Sequence, residues 1–244
     1  MWEPQLALGD RGWRVIAPHF RGFDGIAAAR GQVDAGGAAE TSPPVTSIDD
    51  YAGDVIDLLD ALHIHEAVIV GLSMGGYVAM AMLRHAARYV HALVLADTRP
   101  QADTPEGVDA RERMRRLAQE KGAAAIADEM LPKLLGETTR RTRPDVAAAV
   151  RELVLSSSPA AIRGALRAMM TRPDSTEILS SIRCPTLLVV GDEDTVTPPS
   201  IAEAMQRAIA GSELTVLPGS GHLSNLENTD AFNATLSRFL DHRI

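Results

Sequence analysis

Three short apolar runs constrain the fold of this chain more than any other feature of its sequence. They cover residues 66–71, 90–96 and 185–191, and each is bounded by polar or turn residues. Their Val, Ile and Leu residues do not alternate cleanly with polar ones, which is typical of parallel strands covered on both faces. Weaker strand patterns lie at residues 13–18 and 213–217. The sequence therefore predicts a mostly parallel sheet buried between other layers.

Helical patterns lie between these predicted strands. After Ser47, apolar residues recur at helical spacing from Ile48 to Leu62, and Ser47 with Asp50 resembles a capping box. Further helices are predicted over three segments, which are residues 74–88, 200–210 and 228–240. Alternating strands and helices indicate an α/β fold: an open, mostly parallel sheet with helices on both faces and right-handed crossovers.

Two segments interrupt the alternation. Residues 25–44 are rich in Ala, Gly, Ser and Pro, which is typical of a long surface loop. Residues 99–173 carry no strand pattern, but they show helical patterns at residues 106–119 and 144–155. We interpret residues 99–173 as a helical cap insertion in an α/β core formed by residues 1–98 and 174–244.

Charge and composition exclude several classes of partner. The net charge of -8 argues against a nucleic-acid partner, which normally requires a basic surface. No stretch approaches the ~18 consecutive apolar residues of a membrane span, and the N-terminus lacks the pattern of a signal peptide. The single cysteine, Cys184, cannot form an internal disulfide. The sequence therefore predicts a cytoplasmic protein that binds neither nucleic acid nor a membrane.

The strongest chemical signal is the sequence GLSMG at residues 71–75, which follows a predicted buried strand and begins a predicted helix. This is the context of the G-x-S-x-G nucleophile motif, in which the serine lies on a sharp, strained turn. Glycine at Gly71 and Gly75 lets the neighbouring backbone pass where a Cβ would clash. The pattern predicts that Ser73 is a nucleophile, and the alternative is an ordinary strand-to-helix turn with a capping serine.

A serine hydroxyl needs a base, and in this motif the chain order is serine, acid, histidine. Of the seven histidines, His222 alone lies in the Gly-rich loop after the last predicted strand, whereas His242 lies in the final tail. Such a loop suits a side chain that must reach back to Ser73. His222 is therefore the predicted base, and the alternative is a solvated loop histidine.

The acid should bind the other imidazole nitrogen and stabilise the imidazolium. Asp192, Glu193 and Asp194 follow a predicted buried strand, and sites in open α/β sheets form at the carboxyl ends of strands. We favour Asp194 because it lies furthest past the strand. The rival is Asp97, at the carboxyl end of the preceding predicted strand.

With these residues in place, the chain resembles the α/β-hydrolase superfamily. The likeness is best to the small-cap branch of 3-oxoadipate enol-lactonases, carboxylesterases and haloperoxidase-like perhydrolases. The matching pieces are residues 13–18 and 21–23, the nucleophile motif at residues 71–75 (the nucleophile elbow) with Tyr77, residues 93–97, 191–194 and 197–198, and Gly221-His222 with Glu227. The resemblance implies hydrolysis of a small carboxylic ester or lactone through an acyl-serine, without a cofactor or metal, under a helical lid. Haloalkane dehalogenases and epoxide hydrolases use an aspartate nucleophile, so Ser73 argues against both.

The chain also departs from this family. Pro18 is followed by His19 where relatives have aspartate, and relatives carry two or three strands and a His-Gly loop ahead of the segment matching residues 1–8. That loop supplies one oxyanion donor in the family, and the residue after the nucleophile, here Met74, supplies the other.

We therefore expect that N-terminal strands of the usual fold are missing, including one inside the sheet, and that the gene product begins upstream of Met1. An exposed sheet edge also invites self-association. The alternative to an active hydrolase is an N-terminally truncated or non-catalytic relative with little turnover.

Overall fold

A computed structural model describes residues 1–23 and 47–244, so the predicted loop over residues 25–44 lies outside the described residues. The sheet consists of β1 (Ala67–Leu72), β2 (Val90–Ala96), β3 (Thr186–Gly191) and β4 (Glu213–Leu217). Within the described residues these strands are parallel and pair in the order β1-β2-β3-β4. The three apolar runs and the weaker pattern at residues 213–217 are confirmed as strands.

The strand prediction for residues 13–18 is wrong. Trp13 and Val15 are half-buried against the apolar core, whereas Ile16 is 39% exposed. This alternation imitates a strand, but these residues form no ladder with any strand in the described part of the chain. Pro18 also has no N–H to donate to a neighbouring strand. The apolar pattern therefore indicated burial without strand pairing.

Helices connect and cover the strands. In chain order they are α1 (Ile48–Ala61), α2 (Met74–Ala86), α3 (Pro105–Leu134), α4 (Glu137–Thr142), α5 (Pro144–Leu155), α6 (Pro159–Met170), α7 (Pro199–Ala208), α8 (Ser224–Glu227) and α9 (Thr229–Arg243). Short 3-10 helices lie at Glu3–Arg11, Ala87–Tyr89 and Thr176–Ser181. None of the helices in the described ranges is both long and apolar enough to cross a bilayer.

The predicted capping box at the start of α1 is confirmed. The Asp50 N–H donates to Ser47 Oγ at 3.1 Å, and the Ser47 N–H donates to the Asp50 carboxylate at 2.9 Å. These reciprocal bonds satisfy backbone donors that the first turn of a helix leaves without partners. Aspartate, although shorter than the usual Glu or Gln, therefore completes the box.

Helices pack on both faces of the sheet, as the α/β prediction requires. Leu93 of β2 belongs to one apolar cluster with Tyr51 of α1 and Met80 of α2. Val94 of β2 belongs to a second cluster with Phe232 of α9. Successive strand residues point to opposite faces, so these two clusters are the two sides of the sheet.

The segment between β2 and β3 is helical. Gly122 divides α3 at φ 73° and ψ -169°, a conformation that glycine adopts without a Cβ clash. The predicted helix over residues 106–119 therefore lies in the part of α3 that precedes this break, and a second helical stretch follows Gly122. Ala118 and Ile126 of α3 pack with Ile162 and Leu166 of α6 in a third, smaller cluster.

The parallel register brings the carboxyl ends of the strands to one edge of the sheet. Leu72 lies beside Ala96, Ala96 beside Val189, and Gly191 beside Leu217. The loops that follow these strand ends carry Ser73, Asp97, Asp194 and His222.

Candidate active site

Ser73 lies on a strained turn between β1 and α2. Its φ of 52° and ψ of -114° are uncommon for a residue with a Cβ and cost of order 1–3 kcal/mol. The end of β2 holds the turn: the Ser73 N–H donates to the Ala96 carbonyl at 2.9 Å, and the Thr98 hydroxyl donates to the Ser73 carbonyl at 2.8 Å. The Ser73 side chain is thereby fixed beyond the carboxyl edge of the sheet.

Glycine is required at Gly71 because backbone atoms lie close to it, and at Gly76 because a side chain lies close to it. A Cβ on Gly71 would lie 2.3 Å from the Gly75 carbonyl oxygen, so only glycine lets the backbone pass. A Cβ on Gly76 would lie 2.4 Å from Thr98 Oγ1. A Cβ on Gly75 would meet no atom within 4 Å. The close approach expected at both motif glycines therefore occurs at Gly71, and its counterpart is Gly76 rather than Gly75.

The structure brings the three predicted triad residues into contact. His222 Nε2 lies 2.8 Å from Ser73 Oγ, and His222 Nδ1 lies 2.8 Å from Asp194 Oδ2. A carboxylate can only accept, so Nδ1 carries the proton. Nε2 is then free to accept the proton of the Ser73 hydroxyl.

Asp194 is buried and richly hydrogen-bonded. Its Oδ1 accepts the N–H groups of Val196 at 2.7 Å and Thr197 at 2.9 Å, and its Oδ2 accepts the Thr197 hydroxyl at 2.6 Å. Burial alone would raise the pKa of Asp194, but bonding to His222, its charge and Thr197 outweigh it and hold this pKa below its ordinary value. Asp194 is therefore ionised at neutral pH and suited to stabilise an imidazolium.

Sequence reasoning missed the part played by Thr197. Its hydroxyl donates to Asp194 and lies 3.2 Å from His222 Nδ1, so it contacts both members of the pair. A carboxylate that accepts N–H groups two and three residues further on is a common local turn. The spacing of Asp194 and Thr197 was the available signal.

The other two carboxylates of this loop have different partners. Asp192 is exposed and accepts the Ser220 N–H at 3.3 Å. Glu193 accepts the N–H of Thr138 at 2.8 Å and its hydroxyl at 2.5 Å, and these bonds hold the pKa of Glu193 below its ordinary value. Neither carboxylate is hydrogen-bonded to the imidazole.

The end of α3 and the turn before α4 also support the histidine loop. The His222 N–H donates to the Leu134 carbonyl at 3.0 Å. Buried Glu227 accepts the Gly136 N–H at 2.7 Å and the Leu223 N–H at 3.0 Å. The helical segment between β2 and β3 is therefore hydrogen-bonded to the loop that bears the proposed base.

In the part of the chain that the structure describes, the side chains favour neither a metal site nor a reactive cysteine. Within those ranges no set of three or more His, Cys, Asp or Glu side chains is arranged to hold a metal ion. Cys184 is half-buried, and burial raises the pKa of its thiol, which disfavours the reactive thiolate.

Comparison with known proteins shows the family of this chain. Residues 1–235 match the Alpha/beta hydrolase family, and the chain belongs to that family. It is 30% identical over 248 residues to 3-oxoadipate enol-lactonase 1 of Acinetobacter baylyi, covering 98% of this chain and 83% of that protein. A thermophilic esterase from Thermogutta terrifontis superposes with a TM-score of 0.88 at 35% identity, covering 98% and 84% of the two chains. The enol-lactonase from Burkholderia xenovorans superposes with a TM-score of 0.83 at 27% identity, covering 99% and 86%.

Proposed function

We propose that this chain is a serine hydrolase that cleaves a small carboxylic ester or lactone through an acyl-serine intermediate. The observation that carries the proposal is a single imidazole, that of His222, lying 2.8 Å from both Ser73 Oγ and Asp194 Oδ2. The named activities of the similar proteins, esterase and enol-lactonase, support hydrolysis of an ester bond as the general reaction.

In the proposed reaction, Ser73 Oγ bonds to the carbonyl carbon while His222 Nε2 takes the hydroxyl proton. Asp194 stabilises the resulting imidazolium and holds the ring in place. The bond to the leaving oxygen then breaks, and His222 returns its proton to that oxygen. Water, deprotonated by His222, attacks the acyl-serine in the same manner and releases the acid. These steps need no cofactor or metal.

The negative charge that develops on the carbonyl oxygen needs a donor, and we assign the Met74 N–H. Met74 is the first residue of α2, and the first N–H groups of a helix have no partner within it. The helix N-terminus also favours negative charge. One such donor is typically worth ~10²–10³ in rate.

We further propose that residues 99–173 form a cap that sets the size of a small-molecule substrate. The support is the third apolar cluster, formed by α3 and α6, and the bonds from residues 134–138 to the two loops of the site. The cap would then be anchored to the loops that carry Asp194 and His222.

Covalent labelling tests the nucleophile. We expect a fluorophosphonate to modify Ser73, located by peptide mass mapping, and p-nitrophenyl acetate to be hydrolysed. Ser73→Ala should abolish both, and Ser73→Ala with His222→Ala should be little worse, because the residues act as a unit. Ser180→Ala removes an exposed serine and should change neither.

The outcomes separate the alternatives. Labelling of Ser73 without turnover on a panel of acyl chain lengths and lactones would favour a non-catalytic relative. Turnover that survives Ser73→Ala would show that the mechanism is wrong.

A further inference from the structure

The turn that follows β2 contacts the loops of all three proposed triad residues. Ala96 and Thr98 hold the backbone of Ser73 from both sides, through its N–H and its carbonyl. Between them, Asp97 sends its side chain the other way, toward the loops that follow β3 and β4. Its φ of 44° is, like that of Ser73, uncommon for a residue with a Cβ.

The Asp97 carboxylate bridges two loops. Its Oδ1 accepts the Gly191 N–H at 3.0 Å, and its Oδ2 accepts the Ser224 N–H at 3.1 Å and the Ser224 hydroxyl at 2.5 Å. Gly191 is three residues before Asp194, and Ser224 is two residues after His222. Asp97 is 0% exposed, so water does not replace these bonds.

We propose that Asp97 is a positioning residue for the hydrolysis: its carboxylate ties the loop of Asp194 to the loop of His222 and so sets the bond between them. The inference rests on the proposed function. Asp97 does not touch the reacting atoms and acts through Gly191 and Ser224. Three donors directed at two oxygens match the ionised form of the side chain.

Asp97 changes charge near neutral pH. The pKa of Asp97 is raised to about 7, and burial is the largest cause. The negative charge of Asp194 also raises this pKa, whereas the His222 charge and the Ser224 bond lower it. His222 and Asp194 are thus the titratable groups that face Asp97, one from each loop that it joins. Ionised Asp97 both completes the bridge and adds negative charge near the imidazole.

Asp97→Asn tests the bridge. The amide keeps the shape but replaces one oxygen with a donor, so one loop N–H faces an N–H group. We expect kcat to fall about 10- to 100-fold with KM within about twofold, because a displacement of about 1 Å can cost ~10²-fold. The acid limb of the kcat/KM profile should move to lower pH, because a charge that favours the imidazolium is gone. Asp57→Asn, at an exposed carboxylate of α1 outside both loops, should change neither.

Circular dichroism establishes whether each variant is folded. A folded Asp97→Asn protein with unchanged kcat and an unchanged acid limb overturns the proposal, as does a lower melting temperature alone. If the double variant of Asp97→Asn and Asp194→Asn loses the full product of the two single losses, Asp97 does not act through the bond between Asp194 and His222, which also overturns the proposal.

If Asp97→Asn does not fold, Ser224→Ala provides the test, because it removes one donor and keeps the carboxylate. The acid limb should then move to lower pH, as in Asp97→Asn, because an Asp97 that is harder to ionise places less negative charge near the imidazole. An unchanged limb in this variant contradicts the proposal.

A readout without turnover separates this proposal from the proposed function. The Nδ1 proton of His222, bonded to Asp194, should give a far-downfield proton NMR signal in the wild type and in Ser73→Ala. Asp97→Asn should weaken or remove it. If the wild type neither reacts with the fluorophosphonate nor hydrolyses esters, a signal lost in Asp97→Asn still supports the bridge, and a retained signal rejects it.

Discussion

Replacing Gly71 by alanine tests the packing that creates the elbow. The added Cβ would lie 2.3 Å from the Gly75 carbonyl oxygen, 2.5 Å from the Gly75 carbonyl carbon and 2.7 Å from the Gly76 nitrogen. Ordinary contacts between heavy atoms are about 3.5–4 Å, so the turn must move by about 1 Å. The obstructing atoms are backbone, and no side-chain rotation can relieve them.

The expected magnitude follows from two opposed effects. Overpacking costs about 1–3 kcal/mol, whereas alanine restricts the unfolded chain and gains about 0.4–1 kcal/mol. Because Ser73 is already strained, we expect Gly71→Ala to lower the free energy of unfolding by about 1–3 kcal/mol. Urea denaturation followed by circular dichroism should show a midpoint about 0.5–1 M lower. Hydrolysis should fall about 100-fold, because Ser73 Oγ moves relative to His222.

Gly75→Ala is the matched control, because its Cβ meets no atom within 4 Å and Gly75 is helical. Alanine in a helix is favoured over glycine by up to about 1 kcal/mol, so its midpoint should be unchanged or higher. The reasoning is refuted if Gly71→Ala unfolds at the wild-type midpoint and keeps its rate. It is equally refuted if Gly75→Ala loses as much stability as Gly71→Ala.

Two further outcomes concern buried charges. Because burial raises the pKa of Asp97 to about 7 from its ordinary 3.8, the native state keeps a proton that the unfolded chain has released between those values. The contribution of Asp97 to the free energy of unfolding therefore falls as pH rises from about 4 to 7. The stability of the wild type relative to Asp97→Asn should fall over the same window, and a constant difference contradicts this expectation. Arg172→Leu breaks a nearly buried ion pair with Asp103 and should lower the free energy of unfolding by about 3 kcal/mol. Lys133→Ala, at the exposed ion pair with Glu129, should lower it by under about 0.5 kcal/mol. Urea denaturation measures both, and equal costs would refute the distinction.

The sheet could be predicted from the sequence because helices cover both of its faces. The runs at residues 90–96 and 185–191 are apolar throughout for that reason, and they end within a residue of the observed strands. The strand prediction for residues 13–18 was wrong because an apolar pattern indicates which side chains are buried but does not identify a partner for the backbone. The helix predicted over residues 106–119 ends shortly before the break at Gly122, whereas the second helical stretch of α3 has no counterpart among the predicted helices.

The candidate site could be predicted only where its residues follow strand ends in the family's chain order. Ser73, Asp194 and His222 meet that condition, and the structure brings them together. The bond between Asp97 and Ser224 could not be predicted in this way, because Ser224 lies 127 residues further along the chain. Contacts between loops depend on how the strands pair, and no local spacing encodes them.

The pKa values of two buried carboxylates at one edge of the sheet are shifted in opposite directions: that of Asp194 is lowered and that of Asp97 is raised. Their surroundings explain the difference. Asp194 faces the imidazole and two backbone N–H groups, which hold its pKa low despite burial. Asp97 is bonded only to neutral donors and feels the negative charge of Asp194, so burial prevails and its pKa rises. Environments that separate two pKa values assign separate roles. The carboxylate in contact with the imidazole keeps its charge throughout the working pH range. The second becomes charged only near neutral pH, when the bridge between the two loops is completed.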